Sequence, residues 1–288
     1  MHDIEIKVRS FLEKVANDPL DEIPADILNE FKEACGRILI KQLATRREPD
    51  FRLRMSNIGK DIRQLQLEKE HGLNLRANPD FIIKMIYGDI TEAIFTPILK
   101  LAGVNIEAQS KEVSLDVDGF QLKGELDLRI DGEVWDTKSA SNWAYNNKFV
   151  NWETLAEGDS FGYTTQVFGY AMADDCRAGG FIVLNKEKGE WKLVQTPQSS
   201  NEYDLTKEKI YDSIAYKVGH INNNLPMPEC PGVSEESFRK VPTGERVLTD
   251  ACRFCSHKDK CHPGISNEPA RSSKAASPDR KWYLPKPS

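Results

Sequence analysis

Residues 111–139 read KEVSLDVDGFQLKGELDLRIDGEVWDTKS, and this stretch decides the fold. Asp118-Gly119 and Asp131-Gly132 each separate runs of apolar residues: Val113, Leu115 and Val117; then Phe120 and Leu122; then Leu126, Leu128 and Ile130; then Val134 and Trp135. An Asp-Gly pair tolerates the positive φ angles of a tight hairpin, so the spacing predicts a three-stranded meander. Asp127 stands four residues before the second turn and Asp136 four after it, which sets the two acids near each other across the hairpin. Side chains alternate faces along a strand, so Asp136 and Lys138 share one face and Thr137 takes the other. Two acids and a lysine on adjacent strands can hold a divalent metal, and the Thr137 carbonyl adds a further oxygen ligand.

Outward from the meander, the pattern predicts helices on both sides. Residues 1–45 carry Leu28, Phe31, Ile38, Ile40 and Leu43 at mostly helical intervals. A second helix is expected around 56–70, entered through Ser56, and a third from 79 to 102, kinked or split by Pro97. Residues 140–158 read as a loop or lid. A helix over 160–174, a short buried strand at Phe181–Leu184, a turn at Lys188-Gly189 and a partner strand at Trp191–Val194 follow. A helix over 201–221 precedes the cysteines. The last 26 residues hold five prolines and a small positive excess, which predicts a flexible tail over 263–288.

Composition bounds the function classes. The chain has 288 residues, enough to bury a full core, with 39% hydrophobic and 29% charged residues, an ordinary globular balance. No run approaches the roughly 20 apolar residues of a membrane span, and the N-terminus lacks the layout of a signal peptide, so a cytoplasmic protein without membrane contact is expected. A net charge of −6 argues against indiscriminate coating of nucleic acid. A local basic groove remains open, built from Arg46, Arg47, Arg52, Arg54, Lys60 and Arg63; the plainer reading of such a run is a solvated face. No Gly-x4-Gly-Lys-Ser/Thr phosphate loop occurs, so ATP-driven unwinding is not expected of this chain.

Three stretches together resemble the PD-(D/E)XK nuclease superfamily, in its RecB-like exonuclease branch: Gly124-Glu125-Leu126-Asp127, Asp136-Thr137-Lys138 and Gln166-Val167-Phe168-Gly169-Tyr170. Glu92, in Gly88-Asp89-Ile90-Thr91-Glu92, resembles the family's first motif, where the closest iron–sulfur branch often has His. The second acid, often Glu across the superfamily, is Asp136 here. The resemblance spans roughly residues 50–262. It implies an α/β, restriction-endonuclease-like core with a central mixed sheet flanked by helices over 79–222, an N-terminal helical region over 1–78, and a cysteine segment over 223–262 packing on that region. It further implies a DNA exonuclease acting on ends or single strands in recombination, repair or turnover, from a bacterium or phage-encoded. A recombination or single-strand-binding protein would be the natural partner. A non-catalytic DNA-binding module on the same fold, and a CRISPR spacer-processing nuclease, are the alternatives.

By the same resemblance Glu92, Asp127, Asp136 and the Thr137 carbonyl would bind Mg²⁺ or Mn²⁺, which hard oxygen ligands suit better than zinc. Lys138 would orient or help deprotonate the attacking water. Gln166 and Tyr170, spaced i, i+4 on one helix face, would contact the DNA strand, as would Arg63. Trp143, Tyr145, Phe149 and Trp152 could stack on unpaired bases or simply cover the sheet.

Of six cysteines, Cys252-x2-Cys255-x5-Cys261 forms a close trio that reads as metal binding, since disulfides are not expected in the cytosol. Thiolates suit iron–sulfur and zinc equally. In AddB-type and CRISPR-adaptation relatives such a trio joins one N-terminal cysteine around a [4Fe–4S] cluster, which the resemblance therefore favours over zinc. That cysteine opens a Cys-x-Arg-x-Leu stretch, where this chain has Asp61-Ile62-Arg63-Gln64-Leu65, 31 residues before Glu92. Asp61 is thus the expected fourth ligand, Cys35 the main alternative, and His257, His262 and Cys230 weaker ones.

Overall fold

Asp118 and Asp131 adopt positive φ angles of 52° and 48°, and the glycines after them do the same, so both predicted turns form. They join β1 (Ile106–Val117), β2 (Phe120–Ile130) and β3 (Glu133–Ala140) into an antiparallel meander. This is a computed structural model, and it describes residues 2–45, 50–72, 79–230, 232–239, 241–276 and 278–285, with only the backbone of 79–81. Arg46 and Arg47 lie outside the described residues.

From β3 the chain crosses through α5 (Asn142–Asn147), α6 (Trp152–Glu157) and α7 (Tyr163–Ala173) to β4 (Arg177–Asn185), which pairs parallel to β3. A helical crossover is what a parallel pair requires. β5 (Trp191–Gln195) then adds antiparallel to β4, completing a mixed five-stranded sheet in the order β1-β2-β3-β4-β5. Residues 140–158 are therefore two short capped helices rather than a loop. Ser141 and Asn151 provide the caps, accepting hydrogen bonds from the backbone N–H groups of Ala144 and Thr154.

Helices cover both faces of the sheet. On one, α1 (Asp3–Asn17) and α4 (Pro79–Leu101) bury Ile4, Val8, Phe95 and Leu99 against Trp135 and Ile182. On the other, α7 and α8 (Ser200–Asn222) bury Val167, Phe168, Ile214 and Val218 against Phe181 and Val183. Each such side chain contributes about 1.5–3 kcal/mol on burial. The expected α/β architecture, a mixed sheet flanked by helices, is present.

Three element boundaries differ from expectation. α4 runs unbroken through Pro97. The second helix begins later: α3 spans Ile62–His71, because Asp61 rather than Ser56 caps it, accepting a hydrogen bond from Arg63 N. Residues 1–45 form α1, α2 (Ala25–Leu39) and a π-helical turn at Ile40–Ala44, with α2 lying on α4.

The largest correction concerns the tail. β6 (Val233–Phe238), β7 (Val241–Leu248), β8 (Ser266–Pro269) and β9 (Arg280–Tyr283) form a second sheet in the order β6-β7-β9-β8, so much of 263–288 is built in rather than flexible. Tyr283 is fully buried, and its hydroxyl donates to Glu236, itself buried. Aromatic anchorage outweighs the proline-rich composition. Between β7 and β8 lie α9 (Asp250–Arg253) and α10 (Lys258–Cys261), which carry three of the cysteines or their flanks. Among the described residues no helix is long and apolar enough to cross a membrane.

Candidate functional site

The β2–β3 ladder ends at Leu128↔Trp135. The next register positions are Asp127 and Asp136, and there the strands part. The Asp127 carboxylate enters the gap and accepts the Thr137 N–H at 2.9 Å, a bond that a ladder partner would otherwise make. β3 meanwhile stays paired to β4, Asp136 opposite Phe181 and Lys138 opposite Val183, so the strand is held from its other edge. From α4, Glu92 reaches the same place and accepts the Ser139 N–H at 3.2 Å. The structure thus brings Glu92, Asp127, Asp136, Thr137 and Lys138 together.

The electrostatics of this group are unusual. Asp136 is only 1% exposed, and apart from an ion pair with Lys138 neither of its oxygens has a hydrogen-bond donor. Burial raises its pKa, with Lys138 opposing. Glu92 is pushed up to about 7, first by burial, against the pull of Lys138 and with help from Asp127 and Asp136. Burial acts to lower Lys138, but the three carboxylates outweigh it and hold the ammonium protonated. A buried carboxylate without donors is costly unless a cation completes its shell. Carboxylate and carbonyl oxygens are the donors a hard divalent ion takes, although the Glu92, Asp127 and Asp136 oxygens do not all lie within 4.8 Å of one another.

Gln166 and Tyr170 do lie on one face of α7, where the Gln166 amide donates to the Tyr170 hydroxyl at 3.0 Å. Burial pushes the Tyr170 phenol up to about 12. Its ring edge sits over Gly124, where an added Cβ would come within 2.6 Å of both Tyr170 and Met55; only glycine permits this approach. Tyr170, Gly124 and Asp127 are among the residues lining a groove of about 1330 Å³. Lys41, Arg52, Arg54, Lys69 and Lys123 line it, against Glu112, Glu125 and Asp127, so the groove is basic although the chain is acidic.

Other expectations need correction. Arg63 points away from this groove: its Nε donates to Cys261 Sγ at 3.2 Å and its Nη1 to the Pro228 carbonyl at 2.8 Å. Lys60 pairs with the buried Glu68 at 2.8 Å. Tyr145, Phe149 and Trp152 are buried, packing over the sheet, while Trp143 alone of the four is exposed. Lys41, Lys69 and Lys123 were missed because they lie outside the arginine-rich run, and only the fold brings them to it.

The thiols assemble differently from the expected set. Asp61 caps α3 through one carboxylate oxygen and Cys35 sits on α2, and neither belongs to the group of close ligand atoms. Instead Cys230, Cys252 and His262 present ligand atoms all within 4.8 Å of one another, a group that could bind a metal ion. Cys230 Sγ lies 3.4 Å from Cys252 Sγ and 3.4 Å from His262 Nε2. The β6–β7 hairpin explains why residues 22 apart meet: Val233 pairs with Leu248, and Thr249 N donates to the Gly232 carbonyl at 2.9 Å, setting Cys230 beside Cys252. Gly232 is required there, since a Cβ would stand 1.8 Å from Cys252 Sγ. Burial, then Cys230, pushes the Cys252 thiol up to about 12, and burial with Arg63 and Arg246 lowers His262, favouring the neutral ring that ligates metals. Cys255 and Cys261 lie in the same loop, accepting hydrogen bonds from His257 N at 3.4 Å and from Arg63.

No protein-family model matches the chain, and no curated protein does. Among solved structures, one described as "Crystal structure of SSO0001" is similar at a TM-score of 0.42 and 13% identity, over 80% of this chain and 95% of that one.

Proposed function

We propose that the chain is a divalent-metal-dependent DNA nuclease that removes nucleotides from ends or single strands. The observation that carries this reading is the buried Asp136 carboxylate, bare of donors except Lys138 and grouped with Asp127 and Glu92 where two strands part. Such a group is expensive to fold for structural reasons alone. Asp127, Asp136, Glu92 and the Thr137 carbonyl would hold Mg²⁺ or Mn²⁺. When bound, the ion polarises the scissile phosphate and lowers the pKa of its water.

The chain's own residues do the rest. Lys138 keeps its proton amid the carboxylates, so it acts as a fixed positive charge and hydrogen-bond donor toward the attacking water or the phosphate oxygen, not as the base. Thr137 N–H and Ser139 N–H fix Asp127 and Glu92 in orientation. Lys41, Arg52, Arg54, Lys69 and Lys123 share the groove with Asp127 and Tyr170 and would hold the phosphate backbone there.

End-labelled single- and double-stranded DNA digested with Mg²⁺ or Mn²⁺ tests the reading. Wild-type protein should shorten labelled DNA only with metal present, and Asp127→Ala should bind it without cutting. A wild-type protein that binds DNA yet cuts neither form would make the fold a non-catalytic binding module instead.

A further inference from the structure

We infer that the thiol-rich centre is a mononuclear zinc site held by Cys230, Cys252 and His262, not the four-iron cluster that the cysteine trio suggests. The inference is independent of the nuclease reading.

Spacing carries it. Ligands on one tetrahedral ion are close together: with Zn–S about 2.3 Å and Zn–N about 2.0 Å, two sulfurs stand about 3.8 Å apart and a sulfur and a nitrogen about 3.5 Å. The Cys230–Cys252 and Cys230–His262 separations are both 3.4 Å. In a four-iron cluster each cysteine binds a different iron, so the sulfurs spread over separate corners of the cube, farther apart than any two ligands of one ion. Cys230 and Cys252 are too close for that role. Gly232 permits the short spacing, because Cys252 Sγ fills the space that a Cβ at this position would take, 1.8 Å away.

Ligand chemistry points to the same ion. A mixed thiolate and imidazole set suits zinc, which is borderline soft and imposes no geometry of its own. His262 enters from the residue after Cys261, while Cys261 itself faces the Arg63 guanidinium at 3.2 Å. Among the described residues Cys230, Cys252 and His262 alone bring ligand atoms within 4.8 Å of one another, so the protein supplies three ligands; Cys255, three residues beyond Cys252 in a tight turn where Cys255 N donates to the Cys252 carbonyl at 3.0 Å, lies outside that group. His257 N donates to Cys255 Sγ, as suits a thiolate. The ion would therefore join the segment before β6 to the loop after β7. Arg63, bonded to Cys261 and to the Pro228 carbonyl, ties α3 to both.

The test is metal content of the full chain, purified anaerobically without a histidine tag from cells supplied with both iron and zinc. The expected result is colourless protein with about one zinc per chain, lost in Cys230→Ser and in His262→Ala and kept in Asp61→Ala and Cys35→Ser. Should the first two variants not fold, cobalt exchanged into wild-type protein decides, with the intense visible bands of tetrahedral Co²⁺ and sulfur-to-metal charge transfer expected. Roughly four irons per chain with broad visible absorption would overturn the proposal. So would zinc retained in Cys230→Ser, or wild-type protein with no tightly held metal. None of these readouts involves DNA, so a failure of the nuclease reading leaves them untouched.

Discussion

The carboxylate group and the thiol group are both clusters of candidate ligands, but the chain assembles them in opposite ways. Asp127, Asp136, Thr137 and Lys138 come from one hairpin, and only Glu92 arrives from elsewhere, on a helix packed against the same strand. The thiol group instead gathers a residue before β6, residues after β7 and, through Arg63, the start of α3. The first is set by strand pairing within the five-stranded sheet. The second holds soft ligands on short helices and loops, so its geometry depends on the small sheet and on whatever ion it binds. Removing metal should therefore silence the first without moving it, and loosen the second.

The largest expected effect breaks the comparison on the carboxylate side. Asp127→Ala or Lys138→Ala should lower Mn²⁺-supported cleavage by at least about 10²-fold, while thermal unfolding stays cooperative. A variant that unfolds instead would show the group to be structural.

The pH dependence of stability sharpens the same side. Glu92 carries its proton up to about pH 7 in the folded chain but only to about 4.5 when unfolded. Between those values the folded state binds more protons than the unfolded one, so metal-free stability is fullest below pH 4.5, falls as pH rises toward 7, and then levels. Denaturant titrations across that window should show a fall of up to about 3 kcal/mol. Burial raises Asp136 as well and adds a fall of the same sign, so Glu92→Gln, which can still accept from Ser139 N, should reduce the slope without abolishing it, and an unchanged slope would clear Glu92 of the effect.

On the thiol side, Gly232→Ala should cost about 1–3 kcal/mol by overpacking, since Cys252 cannot withdraw without breaking its contact with Cys230. Metal retention measured after dialysis should fall with it, while cleavage of DNA at saturating Mn²⁺ stays near wild type. Full retention would mean that the sulfurs have room to spare.

How much of this was legible follows from the same contrast. Two Asp-Gly pairs set the hairpin register, and register alone puts Asp127 opposite Asp136, so the carboxylate pair could be read from spacing. That the strands part at this point could not: Leu128 and Trp135 continue the apolar pattern up to the acids, and the separation shows only in the Thr137 N–H turning to Asp127. Cys230 was a weak candidate because sequence distance from Cys252 says nothing until a hairpin closes between them. Asp61 matched the position of a family cysteine but is equally good as a helix cap, and capping needs only the next two residues to fold. The tail misled through its prolines, although Trp282 and Tyr283 beside Arg280 and Lys281 carried a strand signal.

The smallest expected effect tests whether that tail supports the thiol centre. The Tyr283 hydroxyl donates to Glu236 Oε1 at 2.9 Å and accepts from Arg271 N at 2.8 Å, and Glu236 also pairs with Lys281 at 2.9 Å. Tyr283→Phe keeps the buried ring but strands an N–H and leaves a buried carboxylate one donor short, for a cost of about 1 kcal/mol. β9 pairs with β7 at Val247↔Tyr283, and β7 pairs with β6, whose closing residues set Cys230 beside Cys252. A small loosening at Tyr283 should therefore reach the sulfurs as faster metal loss to a chelator, yet leave DNA cleavage unchanged, because among the described residues no strand of the small sheet pairs with the five-stranded one. Equal metal loss in Tyr283→Phe and wild type would show the thiol loop to be held by its ion and Arg63 alone, as self-contained as the carboxylate hairpin.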